Sequence, residues 1–206
     1  MSLFEAAENR NRERVAPLAA RMRPQKLEDF VGQSHFLGEG KLLWRLLKSD
    51  QMGSVLFYGP PGTGKTTLAH LLAAATRSTF RQLSAVTSGV KDIRGLLTEV
   101  ADRVATTGNR TLLFVDEIHR FNRSQQDVLL PDVENGTVIL VGATTQNPFF
   151  AINSALISRS RIFEFHPLGN EEIKQLLNAA IEDEERGFGR RKINLHADAI
   201  DFLTQA

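Results

Sequence analysis

A chain of 206 residues, 42% hydrophobic and 24% charged, has the balance of a soluble globular protein, long enough for one good-sized domain and a small appendage. Its formal net charge of +1 excludes a global electrostatic argument for nucleic acid, so any such case must be local. The absence of cysteine excludes disulfides and thiolate metal sites, and no run approaches the ~18 apolar residues that a membrane span requires. The opening MSLFEAAENRNRERV carries charge where a secretion signal needs an apolar run, so the expected setting is cytoplasmic.

Residues 4–26 are polar and basic, with Arg10, Arg12, Arg14, Arg21, Arg23 and Lys26 against Glu13 from position 10 onward. They read as a partly helical arm, and 1–34 as a whole as arm and linker. GKLLWRLLKS (40–49) has Leu42, Leu43, Leu46 and Leu47 at helical spacing. SVLFYG, FRQLSA, TLLFVD, TVILVGAT and RIFEF are short apolar runs bounded by Gly, Asp or Ser, which predicts buried parallel strands. Helical segments are expected between them over 65–76, 90–105 and 122–130. This alternation predicts an α/β fold over 35–168, an open five-stranded parallel sheet flanked by helices on both faces. From Gly169 the texture changes to two helical pieces around a charged turn that contains glycine. Residues 169–206 are therefore expected to begin an all-helical second domain, cut short at Ala206.

Gly59-Pro60-Pro61-Gly62-Thr63-Gly64-Lys65-Thr66 follows a strand and opens a helix, the setting that G-x-x-x-x-G-K-T needs. Glycines let successive backbone N–H groups turn inward as a nest for phosphate oxygens, and the helix N-terminus adds its positive end. Lys65 supplies a point charge for the outer phosphates, and the Thr66 hydroxyl can ligate Mg²⁺. Asp116 and Glu117 end the third strand run, at the edge where an open α/β sheet collects its ligands. An Asp there can hold Mg²⁺ through water, and a Glu beside it can orient or deprotonate attacking water.

FVDEIHR (114–120) also resembles the DExH box of a nucleic-acid helicase. Such a helicase needs a different phosphate loop and a second sheet domain, for which this length has no room. His119 is accordingly read as a helix-start or surface residue rather than a coupling histidine. Thr144 and Thr145 end VILVGATT, where a hydroxyl could bond attacking water or the γ-phosphate; strand-end threonines are also common, and both readings stay open. Arg159 has no acidic residue within four positions on its N-terminal side, so a local ion pair is not its evident purpose. An arginine delivered to a neighbour's nucleotide is worth about 10³–10⁵ in rate; a plain surface arginine is the alternative.

In this order, Gly59 to Thr66, Asp116-Glu117, Thr145 and Ser158-Arg159-Ser160 resemble an AAA+ ATPase of the clamp-loader type. PLAARMRP (17–24), VGQ (31–33), SAVTSGVKDIR (84–94), DEIHRFNRSQQDVLLPDVENGT (116–137) and GATTQNPFFAINSALISRSR (142–161) together resemble the replication-associated recombination protein A (RarA/MgsA) family, over residues 17–200. The resemblance implies an ATP- and Mg²⁺-dependent ATPase. Gly59, Pro60, Pro61, Gly62, Thr63, Gly64, Lys65, Thr66 and Thr67 would hold the nucleotide, and Thr66 and Asp116 the metal. Glu117 would act on the water, Thr145 as strand-end sensor, and Arg159 in the pocket of an adjacent copy. It also implies a small helical lid whose own sensor arginine would follow Ala206. Further implications are homo-oligomers, usually tetramers, and DNA-stimulated hydrolysis at stalled replication forks in the bacterial nucleoid.

In motors of this type the helix after the second strand faces the DNA path, which singles out Ser88, Lys91 and Arg94; two cations on a helix equally suit a solvated face. Arg120, Asn122 and Arg123 form another candidate group. The basic arm lacks interleaved aromatics, so stacking of single strands on it is not expected. The function expected is a DNA-dependent ATPase of fork maintenance, recombination and repair, remodelling branched, gapped or single-strand/double-strand junction DNA. The alternative is an ATP-gated adaptor for a replication protein such as a single-strand-binding protein, with hydrolysis as a release timer. No membrane partner is expected.

Overall fold

A computed structural model of the chain describes residues 16–191, 193 and 195–205; residues 1–15 of the expected arm lie outside the described residues. The larger of two compact units comprises Lys26–Glu28 and Gln33–Pro167. Its strands are β1 (Val55–Tyr58), β2 (Thr79–Ser84), β3 (Thr111–Asp116), β4 (Val138–Thr144) and β5 (Arg161–Glu164), all parallel, in the order β2-β3-β4-β1-β5. The expected five-stranded parallel sheet is present. β3 as far as Val115 and all of β4 are buried, as doubly apolar runs should be in a sheet covered on both faces. β2 departs from the expected burial. It is an edge strand, and Thr79–Ser84 is only partly covered.

Alternation along the strands divides the core. Leu56, Leu113, Val115, Val138 and Leu140 form one cluster with Ile93, Leu97 and Val100 of α5 (Val90–Thr107), Leu129 of α6 (Arg123–Glu134) and Leu156 of α8 (Ser154–Ser158). Phe57, the next residue along β1, packs instead with Phe163 and Phe165, at ring-centroid distances of 6.2 and 5.0 Å. Phe36 of α2 (Ser34–Leu37) joins this group at 5.1 and 5.2 Å from the same two rings. α3 (Leu42–Lys48) buries Leu43 and Leu46 of its helical pattern. α4 (Lys65–Ala75) buries Leu68, Ala69 and Leu72 and packs on β2, β3 and β4. Each such Phe or Leu contributes roughly 1.5–3 kcal/mol on burial.

α6 runs farther than the expected 122–130, passing through Pro131 to Glu134. The bond lost at Pro131 would have gone to the carbonyl of Asp127, an exposed residue whose oxygen water can satisfy. At its start Asn122 and Gln125 exchange hydrogen bonds, each 2.9 Å, a reciprocal capping box. Between β4 and β5 lie α7 (Pro148–Ala151) and α8, capped by the side chains of Asn147 and Asn153.

The smaller unit includes α1 (Leu18–Arg21), α9 (Asn170–Glu182) and α10 (Ala197–Gln205), and its described residues contain no strand. α9 packs on α10. The turn after α9 is fixed by Asp183, which accepts from the backbone N–H groups of Glu185 and Arg186 at 2.9 and 2.7 Å and from Arg186 Nε at 2.8 Å. Those donors, the Arg186 backbone first, hold the Asp183 carboxyl below its ordinary range. Among the described residues no helix is long and apolar enough to cross a membrane.

Candidate nucleotide site

Parallel strands bring their carboxyl ends to one edge of the sheet. β1 lies between β4 and β5, so the chain leaves it for the far edge and later returns past it. A crevice opens at such a reversal, outside the carboxyl ends. Gly59 leaves β1 there with φ +149°, and a Cβ on it would lie 2.3 Å from the carbonyl oxygen of Phe165. Gly62 and Gly64 take φ of +77° and +95°, and Gly64 directly precedes α4. Left-handed glycines running into a helix N-terminus present several N–H groups to one point, a geometry that accepts anions.

Lys65 begins α4 and is 9% exposed. Its Nζ donates to Gly59 O at 2.8 Å and Pro60 O at 2.7 Å, and Thr63 Oγ1 donates to Pro60 O at 2.9 Å. Burial pushes the Lys65 ammonium below its ordinary pKa, opposed by the carboxylates of Glu117 first and Asp116 second. Pro60, Pro61 and Gly62 are exposed, while Thr66 and Thr67 are half-buried in the first turn of α4.

The acidic turn is fixed by a missing side chain. A Cβ at Gly142 of β4 would lie 2.7 Å from Leu56 Cδ2 and 3.0 Å from Ile118 Cδ1. Fully buried Ile118 therefore sits against bare strand and pins the residues before it. Glu117 adopts left-handed φ of +51°, a conformation costing a non-glycine residue roughly 1–3 kcal/mol. Its N–H donates to Asp116 Oδ1 at 3.1 Å. Its Oε2 lies 3.5 Å from Thr145 Oγ1 and 3.1 Å from His119 Nδ1. Lys65, Asp116, Glu117 and Thr145 thus converge on one edge.

His119 lies in a short 3₁₀ turn, Ile118–Arg120, so of the two expected readings, helix start and surface, the first is met and the second is not. Its side chain is 10% exposed, and Nδ1 lies 2.9 Å from Oγ1 of fully buried Thr144. Nothing within FVDEIHR signals this, because the partner is on another strand. Gln126 was missed as well. It is 2% exposed, donates from Nε2 to Phe121 O at 2.9 Å and Ala151 O at 3.3 Å, and accepts from Asn153 N at 2.7 Å. One amide so joins the end of the acidic turn to the segment that leads to Arg159.

Arg159 lies at the end of α8 and is exposed. It has an ion-pair partner after all, though not a local one: its Nη2 is 2.6 Å from Glu134 Oε1 at the end of α6. Its Nη1 donates to Ala155 O at 2.9 Å and Ser158 Oγ at 3.1 Å. None of these partners belongs to the phosphate loop. Lys91 and Arg94 stand exposed on the first turns of α5, and Ser88 precedes them, its carbonyl accepting from Gln125 Nε2 at 3.0 Å. Arg94 also lines a shallow cleft between α5 and α6 with Ser124, Asp127 and Asp132. Burial raises the Asp132 carboxyl above its ordinary range, opposed by a hydrogen bond with Thr137.

Known proteins resemble this chain in sequence and fold. Residues 22–159 match the family described as the Holliday junction DNA helicase RuvB P-loop domain. Replication-associated recombination protein A of Haemophilus influenzae is 46% identical over 202 residues, 98% of this chain and 44% of that protein. The Escherichia coli K12 protein of the same name is 50% identical over 179 residues, 87% of this chain and 40% of that one. The chain therefore spans less than half the length of these curated relatives. Among solved structures, the Thermotoga maritima RuvB Holliday junction branch migration motor superposes with a TM-score of 0.66 at 31% identity, covering 79% of this chain and 54% of that one. The fold, the RuvB-type match and these identities together show that the chain belongs to the RuvB-like AAA+ P-loop ATPases and, among them, to the replication-associated recombination protein A family.

Proposed function

We propose that the protein hydrolyses ATP with Mg²⁺ and uses the energy to remodel DNA at replication forks, acting as a homo-oligomer in the cytoplasm. The observation that carries this reading is the convergence of Lys65, Asp116, Glu117 and Thr145 at one sheet edge, with Glu117 and Asp116 the anions that oppose the lowering of the Lys65 pKa. Gly59 to Thr67 cradle the triphosphate: the positive-φ glycines supply N–H groups, and Lys65 leaves its loop carbonyls for the outer phosphates. Thr66 and Asp116 fit a magnesium ion. One oxygen of Asp116 accepts only its neighbour's N–H, and Thr66 makes no side-chain hydrogen bond among the described residues. The ion, when bound, neutralises charge on the outer phosphates. Glu117 positions water, and Thr145 reports on the γ-phosphate from the end of β4.

Arg159 acts in trans. It is exposed, anchored at the end of a helix and bonded to nothing in its own phosphate loop. Subunits carrying Arg159→Ala, mixed with subunits carrying Lys65→Ala, should recover part of the ATPase activity that each lacks alone. A verified mixed oligomer with no recovery would reject the trans arrangement.

DNA is the partner this reading requires, in branched, gapped or junction form, met through Ser88, Lys91 and Arg94. Such contacts are phosphate contacts, independent of sequence and weakened by salt. The deciding experiment is the ATPase rate of the full-length protein with and without forked or gapped DNA. Several-fold stimulation that fades as salt rises is expected. A rate indifferent to DNA would point instead to an adaptor that binds a replication protein and uses hydrolysis as a timer.

A further inference from the structure

We propose that His119 is a positioning residue that holds one oxygen of the Glu117 carboxylate in place and leaves the other to take a proton from the attacking water; this rests on the ATPase reading above. Nδ1 of His119 stands between two oxygens, Thr144 Oγ1 at 2.9 Å and Glu117 Oε2 at 3.1 Å. Thr144 has a single proton. Its Oγ1 accepts from Gln146 N at 3.0 Å and donates to Gln146 O at 3.3 Å. Were that proton turned to Nδ1 instead, the imidazole would present a lone pair to a carboxylate at contact distance. The arrangement that satisfies all groups has the proton on Nδ1, donated to Thr144 Oγ1, with the positive N–H edge also facing Glu117 Oε2 at 3.1 Å.

This anchor answers a mechanical need. Glu117 sits on a left-handed turn at the end of β3, and its side chain would otherwise sample several rotamers over the crevice. Thr145 Oγ1, at 3.5 Å from the same Oε2, is too far to hold it firmly. Oε1 makes no hydrogen bond to protein among the described residues, so fixing Oε2 aims Oε1. Because His119 also grips Thr144, the carboxylate is registered to the end of β4, the strand that leads into Thr145. An imidazole N–H can do this where a lysine or arginine would not, since a permanent cation against Glu117 would weaken it as a base. Misplacement of a reacting group by about 1 Å can cost about 100-fold in rate, which sets the size of the effect.

Asparagine carries its side-chain N–H₂ on Cγ, as histidine carries Nδ1, whereas glutamine places its amide one bond farther out. The test compares wild type, His119→Asn, His119→Gln, His119→Ala and Glu117→Gln in the full-length protein, with kcat, KM for MgATP and thermal midpoint measured on each. Expected are a fall in kcat of about 10- to 100-fold for Ala and Gln, KM within about threefold of wild type, and Asn within about fivefold in kcat. A His119→Ala enzyme with wild-type kcat overturns the proposal, and so does a Gln variant as active as the Asn variant. Where Ala fails to fold, the Asn and Gln pair, both amides, decides. If Glu117→Gln itself turns over normally, the role given to Glu117 is what fails, and the inference falls with it.

Discussion

Lys65→Ala is expected to abolish nucleotide binding, raising the Kd for ATP by about 100-fold or more, as loss of charge-assisted bonds worth roughly 1.5–3 kcal/mol each requires. Titration with a fluorescent ATP analogue measures it, and a Kd within threefold of wild type would mean that the loop does not take the triphosphate. The same substitution should change the thermal midpoint little, because the desolvation cost it relieves is offset by loss of the bonds from Nζ to Gly59 O and Pro60 O. Burial lowers the Lys65 pKa in the folded chain, so at neutral pH the folded state carries a charge that the unfolded chain holds more comfortably in water. A group of this kind gains stability as pH rises through its folded value, and below that value the whole cost is present. Removing the ammonium relieves it. Binding lost with stability kept separates a functional lysine from a structural one.

Glu117→Gln should suppress catalysis and leave affinity unchanged. The amide matches the carboxylate in size and keeps the turn at φ +51°, yet it cannot accept a proton from water. Turnover should fall by about 10²–10⁴, the usual contribution of a general base, while the Kd for ATP stays within about threefold. Single-turnover hydrolysis and the fraction of nucleotide recovered as ATP measure the two effects separately. A normal rate in this variant would remove Glu117 from the chemistry.

Much of this site is legible in the residues because its parts are local. A glycine loop between strand and helix, and a carboxylate pair at the end of an apolar run, depend on a few adjacent positions, and the structure places them at one edge. What escaped depends on strand pairing. His119 looks like a surface residue until β3 and β4 lie side by side and bring Thr144, 25 positions later, to its ring. No acid lies in the four positions before Arg159, whereas Glu134 arrives from the far end of α6. That helix in turn was expected to stop before Pro131, a stop signal that an exposed last turn overrides. FRQLSA reads like the other strand runs, and only the sheet order makes it an edge. Gln126 carries no sequence signal: a polar residue inside a helix looks solvated until its donors are seen to reach two carbonyls.

Gly142 has no functional group, yet the absence of one at that point is what admits Ile118 to the sheet. The notch it leaves works like a mortise, seating the residue next to the acidic pair. An alanine there would press on Leu56 in the interior as well as on that seat, so the chemistry would slip together with the packing beneath it.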